Sequence, residues 1–390
     1  MIPERPSPAA APVPPHRPLR VAFVMPGVGI FARGAEAFVV ELAAALGERW
    51  GWQVTLFCRG ETALPHRRVR AVARDGRAIT AVYGATRLGK KALDALFLDP
   101  LNLEWDTAAL SALPGLARGR FDAIVMEGGL AGGWICRLLR RLQGVPWIDV
   151  AHGLSPQWEG AFARQGPDRV VVFTRAAAAA LAARAPRARI AVIPHGVDLG
   201  AFRPGLAPVS LDLPRPIVLA AGAVDGHKRM HLAVEAVARL PRASLIVLGE
   251  GPEGPALDAL AARRLPGRYL RTAVPRAAMP AWYAAATLFT LPSIDESFGL
   301  AYLEAMACGL PVVAPDDAVR REVIGPPGEA GLYCDVADLD AYAAALAAAL
   351  ARPWGAAPRA RALRLPFAAT VDAYARLLLA IQPDSAEVPA

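Results

Sequence analysis

TLFTLPSIDESFGLAYLEAMACGLPVVAP, residues 287–315, decides the fold class, because its residue types change period twice within one short span. TLFTLPS (287–293) reads as a buried strand, IDES as a loop, and a helix is expected to begin between Phe298 and Leu300. That helix should stop at Cys308, since Gly309 suits a left-handed C′ position and Pro311 cannot continue a helix. PVVAP (311–315) then restarts a strand, so the stretch is one strand–helix–strand unit of a parallel sheet. Glu296 and Glu304 lie eight positions apart. On one helix that spacing turns roughly 80° past two full circles, so the two carboxylates would not share a face. Glu296 therefore belongs to the loop with Ser297, and Glu304 to the helix. Helical side chains lean toward the N-terminus, so Glu304 is expected to point back toward the open N–H groups of Phe298, Gly299 and Leu300. Carboxylates that accept from hydroxyls, beside amides that donate to oxygens, suit a polyol or a phosphate. A pair of capping or surface glutamates is the plainer alternative.

The same alternation runs along the chain. RVAFVM (20–25), QVTLFC (53–58), FDAIVME (121–127), WIDVAHG (147–153), RVVVFT (169–174) and RIAVIP (189–194) read as strands. Amphipathic helices are expected over 35–48 and 133–142. VIPHGVDLGAFRPGLAPVSLDLPRP (192–216) carries five prolines and little periodicity, as a linker would. Strands and helices then resume at PIVLAAG (216–222) and SLIVLGE (244–250). The expected fold is α/β: two Rossmann-like domains facing across a cleft, at 19–200 and 201–365. A C-terminal helix within 366–390 is expected to return to the first domain. Residues 1–18, with seven prolines and no apolar core, read as a disordered tail and not as a signal peptide.

Net charge is +8, but its source is 40 Arg against Lys90, Lys91 and Lys228 alone. An Arg- and Ala-rich coding bias accounts for that balance, and no basic stripe with interleaved aromatics speaks for nucleic acid. The four cysteines are far apart, with no metal-ligand spacing, so buried free thiols in a cytoplasmic protein are expected.

Loops after strands carry the chemistry in such sheets. MPGVGIFARGAE (25–36) holds Gly27-x-Gly29-x-x-Ala32, but the second strand ends Cys58-Arg59 without the acid that a nicotinamide site wants. Gly34 is read as the residue that lets backbone approach a ligand at a helix N-terminus. AAGAVDGHKRMHLAVEA (220–236) repeats the plan, with Gly222 ending a strand and Lys228 and Arg229 just before a helix. A cation is disfavoured there by the helix dipole, which makes phosphate contact the better reading of Lys228. His152 ends an apolar strand on the cleft side, whereas His195 reads as structural. Asp338 and Asp340 read as first-turn acids, so no metal is expected.

Together these motifs resemble glycosyltransferase family 4, over about residues 20–350. PSIDESFGLAYLEAMACGLPVVAP is similar to that family's Glu-x7-Glu motif, VIPHGVD to its hinge, LGEGPE to a second-domain turn, and RGAE to its Gly-Gly-x-Glu loop. The resemblance implies a GT-B fold and transfer of a sugar from a nucleoside diphosphate sugar, with retention at the anomeric carbon and without a metal or other cofactor. It implies that Lys228 neutralises the departing diphosphate, Glu304 holds the ribose, Glu296 contacts the donor sugar, and His152 lies by that sugar as a catalytic residue, stabilising an oxocarbenium-like transition state through its backbone or ring. One departure is Ala223, where the family usually has Arg. That gap leaves a catalytically weak scaffold or binding subunit as one alternative; a sugar-nucleotide epimerase on the same architecture is another. The acceptor is not legible. TRLGKKALDALFLDPLNL (86–103) reads as a solvated helix, with an amphipathic lid or a peripheral contact at the inner face of a membrane as the alternative.

Overall fold

The computed structural model describes residues 17–31, 33–73, 83, 87–152 and 156–383. Most of the proline-rich tail, Ala32 of the glycine loop, part of 86–103 and residues 384–390 lie outside the described residues. The chain divides into two compact units: residues 1–172, 181–191 and 371–390 form one, and 173–180 with 192–370 form the other. The exchange points thus fall at 191/192 and 370/371, against the expected 200/201 and 365/366. Val197 explains the first of these, because its N–H donates to the Leu365 carbonyl and its carbonyl accepts from Phe367. That pairing keeps 192–200 with the second unit.

The first unit is built on β1 (Arg20–Val24), β2 (Gln53–Cys58), β3 (His66–Arg68), β4 (Ala123–Met126), β5 (Trp147–Val150), β6 (Arg169–Val172) and β7 (Ile190–Val192). They form a seven-stranded sheet in the order β3-β2-β1-β4-β5-β6-β7. The second unit holds β8 (Ile217–Ala221), β9 (Ser244–Leu248), β10 (Tyr269–Thr272), β11 (Leu288–Thr290), β12 (Val312–Pro315) and β13 (Gly331–Cys334). Their order is β10-β9-β8-β11-β12-β13. Strand pairing is parallel in both sheets. Continuous apolar runs such as IVLAA and SLIVL are buried along their whole length, as strands covered by helices on both faces must be. In each sheet the order reverses between the first strand and its fourth, which places a topological switch point between β1 and β4 and another between β8 and β11.

The decisive stretch folds as read. Its helix runs Leu300–Ala307 and is capped by Cys308, with Gly309 at φ 89°. Gly309 donates to Met306 and Leu310 to Ala305, the paired bonds of a Schellman ending. The last helix, Phe367–Ala380, belongs with the first unit from Val371 onward. Asp372 accepts from Arg49 Nε at 2.6 Å, Arg49 Nη2 at 2.8 Å and Trp50 Nε1 at 3.1 Å, all at the end of the Gly34–Trp50 helix. The expected return of that helix is therefore real.

Other elements escaped the pattern. β3, β10 and β13 are edge strands of three or four residues, too short to show a period. Pro100–Arg118 is a long helix that the reading of 86–103 touches only at its start, and Pro114 interrupts its apolar rhythm. Its start signal was legible: Asp99 caps Leu101 and Asn102, and proline follows at the first helical position.

Candidate functional site

Two clusters of charged side chains sit at carboxyl ends of strands, one in each unit. In the second unit they straddle the β8/β11 switch point. Gly222 follows β8 at φ 148°, and a Cβ on Gly249 would meet its carbonyl oxygen at 1.9 Å. The loops after β8 and β9 thus touch backbone to backbone, which only glycine permits. Beyond Gly222 the chain turns on Asp225, whose Oδ1 accepts from His227 N at 3.1 Å and Lys228 N at 3.2 Å. Arg229 caps the Met230–Ala238 helix in the left-handed region at φ 48°. Its Nε donates to the Pro292 carbonyl at 2.8 Å, while Ile294 N donates to the His227 carbonyl at 2.9 Å. These two links lay the 225–229 loop against the 292–296 loop and bring Lys228 Nζ onto Glu296 Oε1.

Glu296 is held ionised. Burial pushes its pKa up, but the charges of Lys228 and Arg320 and a hydrogen bond from Ser293 outweigh that and hold it below the usual carboxylate range. Arg320, on the Ala318–Ile324 helix, is buried with 2% exposure. Its Nη2 donates to the Ser293 carbonyl at 2.7 Å and to Ser293 Oγ at 2.8 Å, and Nη1 pairs with Asp317. The loop that carries Glu296 is therefore braced from below by a guanidinium.

Glu304, 4% exposed, lies one turn inside its helix. Its Oε1 accepts from Arg276 Nη1 at 2.6 Å and its Oε2 from Tyr283 OH at 2.9 Å. The carboxylate turns to these two partners, so a ligand hydroxyl would share it with Arg276. Burial and the adjacent Glu304 push the Tyr283 phenol well above its ordinary pKa, which keeps it a donor. The N–H groups of Phe298, Gly299 and Leu300 donate to no backbone carbonyl among the described residues. Ser297 is half-buried in the same loop, and the Phe298 ring stands edge-on to His195 at 5.3 Å. His195 stacks in turn on Phe173 at 3.8 Å, which fits its structural reading. Ala223 is half-buried beside Gly222. Asp338 caps the Leu339–Ala351 helix and Asp340 pairs with Arg239, as first-turn acids do.

In the first unit, Met126 of β4 pairs in register with Asp149 of β5. Residues just past both ends therefore meet, and His152 Nε2 is bonded to Glu127 Oε2. Burial pulls the His152 pKa down, but the carboxylates of Glu127, Glu36 and Glu159 raise it above the ordinary imidazole value. Trp105, Glu127, Gly128, His152, Trp158 and Glu159 line a pocket at this edge. Asp149, buried in β5, is pushed up to about 8, by burial first and then by Glu127 and Glu159. Gly34 opens its helix, and Glu36 in the first turn reaches back so that a Cβ on Gly27 would lie 2.3 Å from its Oε1. Sequence reasoning missed Glu127, Asp149, Arg276, Tyr283, Ser293 and Arg320. Glu127 alone had a signal, as an acid closing the apolar run FDAIVME.

A family described as Glycosyltransferase Family 4 matches residues 32–201, and one described as Glycosyl transferases group 1 matches 215–352. D-inositol 3-phosphate glycosyltransferase of Mycolicibacterium paratuberculosis is 32% identical over 377 residues, 87% of this chain and 81% of that one. Alpha-maltose-1-phosphate synthase of Mycolicibacterium smegmatis is 29% identical, over 60% of this chain and 72% of that one. Among solved structures, sucrose-phosphate synthase of Thermosynechococcus elongatus superposes with a TM-score of 0.75 at 24% identity, covering 92% and 98% of the two chains. Anabaena HepE in complex with UDP-glucose gives 0.68 at 16% identity, covering 92% and 99%. Both of these likenesses speak to fold.

Proposed function

This chain belongs to the glycosyltransferases of family 4, and we propose on that premise that its donor is a nucleoside diphosphate sugar bound at the β8/β11 switch point. The observation that carries this reading is the Lys228–Glu296 pair, held at two strand ends by the Arg229–Pro292 and Ile294–His227 bonds. As the bond from the anomeric carbon to the diphosphate breaks, negative charge grows on phosphate oxygens. A cation and open amides fixed beforehand lower that barrier most. Lys228 supplies the cation, and the amides of Phe298, Gly299 and Leu300 supply the dipoles. Without an Arg at position 223, Lys228 carries more of this load. Glu296 holds the donor sugar and Glu304 the ribose, with Arg276 as a shared partner.

Transfer with retention and without a metal is part of the proposal. His152 contributes orientation and not positive charge, since its ring is balanced by Glu127 and a bare imidazolium would oppose an oxocarbenium-like centre. The acceptor is a hydroxylated molecule, and the bonded Glu127 and His152 past the ends of β4 and β5 offer it polar partners. Among the described residues no helix is long and apolar enough to cross a membrane. We place the protein in the cytoplasm, with a peripheral membrane contact.

Thermal-shift screening of UDP-, GDP- and ADP-sugars, followed by transfer assays with and without EDTA and NMR of the product anomer, tests the reading. Lys228→Met should weaken donor binding by roughly 10- to 100-fold, the worth of one charge-assisted hydrogen bond. Unchanged donor affinity in that variant would remove the site assignment, and an inverted product would remove the stereochemical one.

A further inference from the structure

The helix Leu130–Gln143 packs Ile135, Cys136 and Leu139 into the first unit's core, yet its outer face is not polar. Trp134, Leu138 and Leu142, spaced four residues apart, are 63%, 46% and 72% exposed. Such spacing lines them along one stripe of the helix. Arg137 and Arg141 flank that stripe, and the Arg137 guanidinium lies 5.0 Å over the Trp134 ring. Arg140 on the next face pairs with Asp168 at 3.0 Å. The helix carries three arginines and no acidic residue. Its neighbour, Pro100–Arg118, runs alongside: Ala131 N donates to Asp106 at 2.8 Å and Gln143 Nε2 to the Ala117 carbonyl at 2.9 Å. Leu110 on that neighbour is also exposed.

Three large apolar side chains in water are costly to leave uncovered, and nothing in the donor or acceptor chemistry uses them. We propose that this face docks the protein on an anionic lipid bilayer, with Trp134, Leu138 and Leu142 entering the headgroup boundary and Arg137 and Arg141 meeting lipid phosphates. A Trp at the rim, leucines below it and arginines without acids beside them are the chemistry of an interfacial helix. A protein partner with an apolar groove would not call for that one-signed charge. The sequence offers 86–103 as such a contact only as the alternative to a solvated helix; the exposed stripe lies on a different helix. The proposal stands independently of which sugar is transferred.

Co-sedimentation of the full chain with phosphatidylglycerol/phosphatidylcholine vesicles, against phosphatidylcholine alone, is the test. Wild type should bind the anionic vesicles only, and added salt should release it. The pair Trp134→Ala/Leu142→Ser, and separately Arg137→Glu/Arg141→Glu, should each lower vesicle affinity about tenfold or more while leaving the melting temperature unchanged. Three results would overturn the proposal: wild type failing to sediment with anionic vesicles, variants binding as well as wild type, or sedimentation velocity showing a dimer that Trp134→Ala dissociates.

Discussion

Replacing Arg320 with Met should cost the second unit about 3 kcal/mol, because it removes one partner of a buried, hydrogen-bonded charge. Arg320 makes three polar contacts: 2.7 Å to the Ser293 carbonyl, 2.8 Å to Ser293 Oγ, and the pair with Asp317. Ser293 is itself 1% exposed, so water cannot replace the lost donors without opening the loop. Asp317 is partly exposed and rehydrates, which keeps the cost near the low end of the range for a broken buried pair. For a unit of this size about 3 kcal/mol lowers the melting temperature by roughly 6–12 °C. Scanning calorimetry should show that shift in one transition and leave the first unit's transition in place. A second consequence is electrostatic. The Glu296 pKa is depressed in the folded protein, so its stability contribution is present above its unfolded pKa and lost as pH falls through the folded value. Without Arg320 the folded value moves up toward the unfolded one, so Glu296 contributes less stability at neutral pH and the loss of stability on acidification should be smaller than in wild type. Arg320→Lys keeps the charge but reaches fewer acceptors, so it should fall between the two in both readouts. A melting temperature for Arg320→Met within about 2 °C of wild type would refute the bracing argument.

Other expectations follow from the same geometry. Glu304→Gln should retain the Tyr283 bond but weaken the Arg276 pair, lowering nucleotide affinity more than melting temperature; equal UDP affinity by calorimetric titration would count against a ribose role. Asp149 has a folded pKa of about 8 against an ordinary value of 3.8, so the native state keeps a proton the unfolded chain releases between those values. Stability therefore falls as pH rises from about 4 to 8, by at most about 1.4 kcal/mol per unit from this group. Asp149→Asn should flatten that fall in urea titrations run at several pH values, and a parallel pH profile for the two proteins would reject it. Asp372→Ala should loosen the C-terminal helix from Arg49 and Trp50, at a cost of about 1–3 kcal/mol, read as faster amide exchange over Val371–Ala380.

How much of this was legible varies with the range over which the cause acts. Gly309 ends a helix through its own backbone, so LEAMACGLP announced both the helix and its stop. Central strands bury both faces and advertise themselves as apolar runs, whereas β3, β10 and β13 pair on one side and stay short. Lys228 stood out because the chain spends lysine so rarely. Arg320 could not stand out among 40 arginines, although it is the more buried cation. Nor could sequence show that Glu304 meets Arg276 and Tyr283, since neither partner is closer than 21 residues along the chain.

Those hidden partners change what the two glutamates of IDESFGLAYLEAM must do when a ligand arrives. Each carboxylate faces a cation from another element: Glu296 faces Lys228, and Glu304 faces Arg276. On the proposed donor site, a diphosphate reaching Lys228 would compete with Glu296 for it, and so free that carboxylate to accept from a sugar hydroxyl. Arg320, bonded to Ser293, would then hold the freed carboxylate ionised and in place. On that reading the ion pair is a placeholder that preserves the loop without the ligand, the preorganisation that phosphate departure would require. If so, the double variant Lys228→Met/Glu296→Gln should be more stable than Lys228→Met alone, because the stranded buried charge is gone, yet no more active. A double variant that unfolds earlier than Lys228→Met would mean that the pair serves the fold, and that the donor site lies elsewhere.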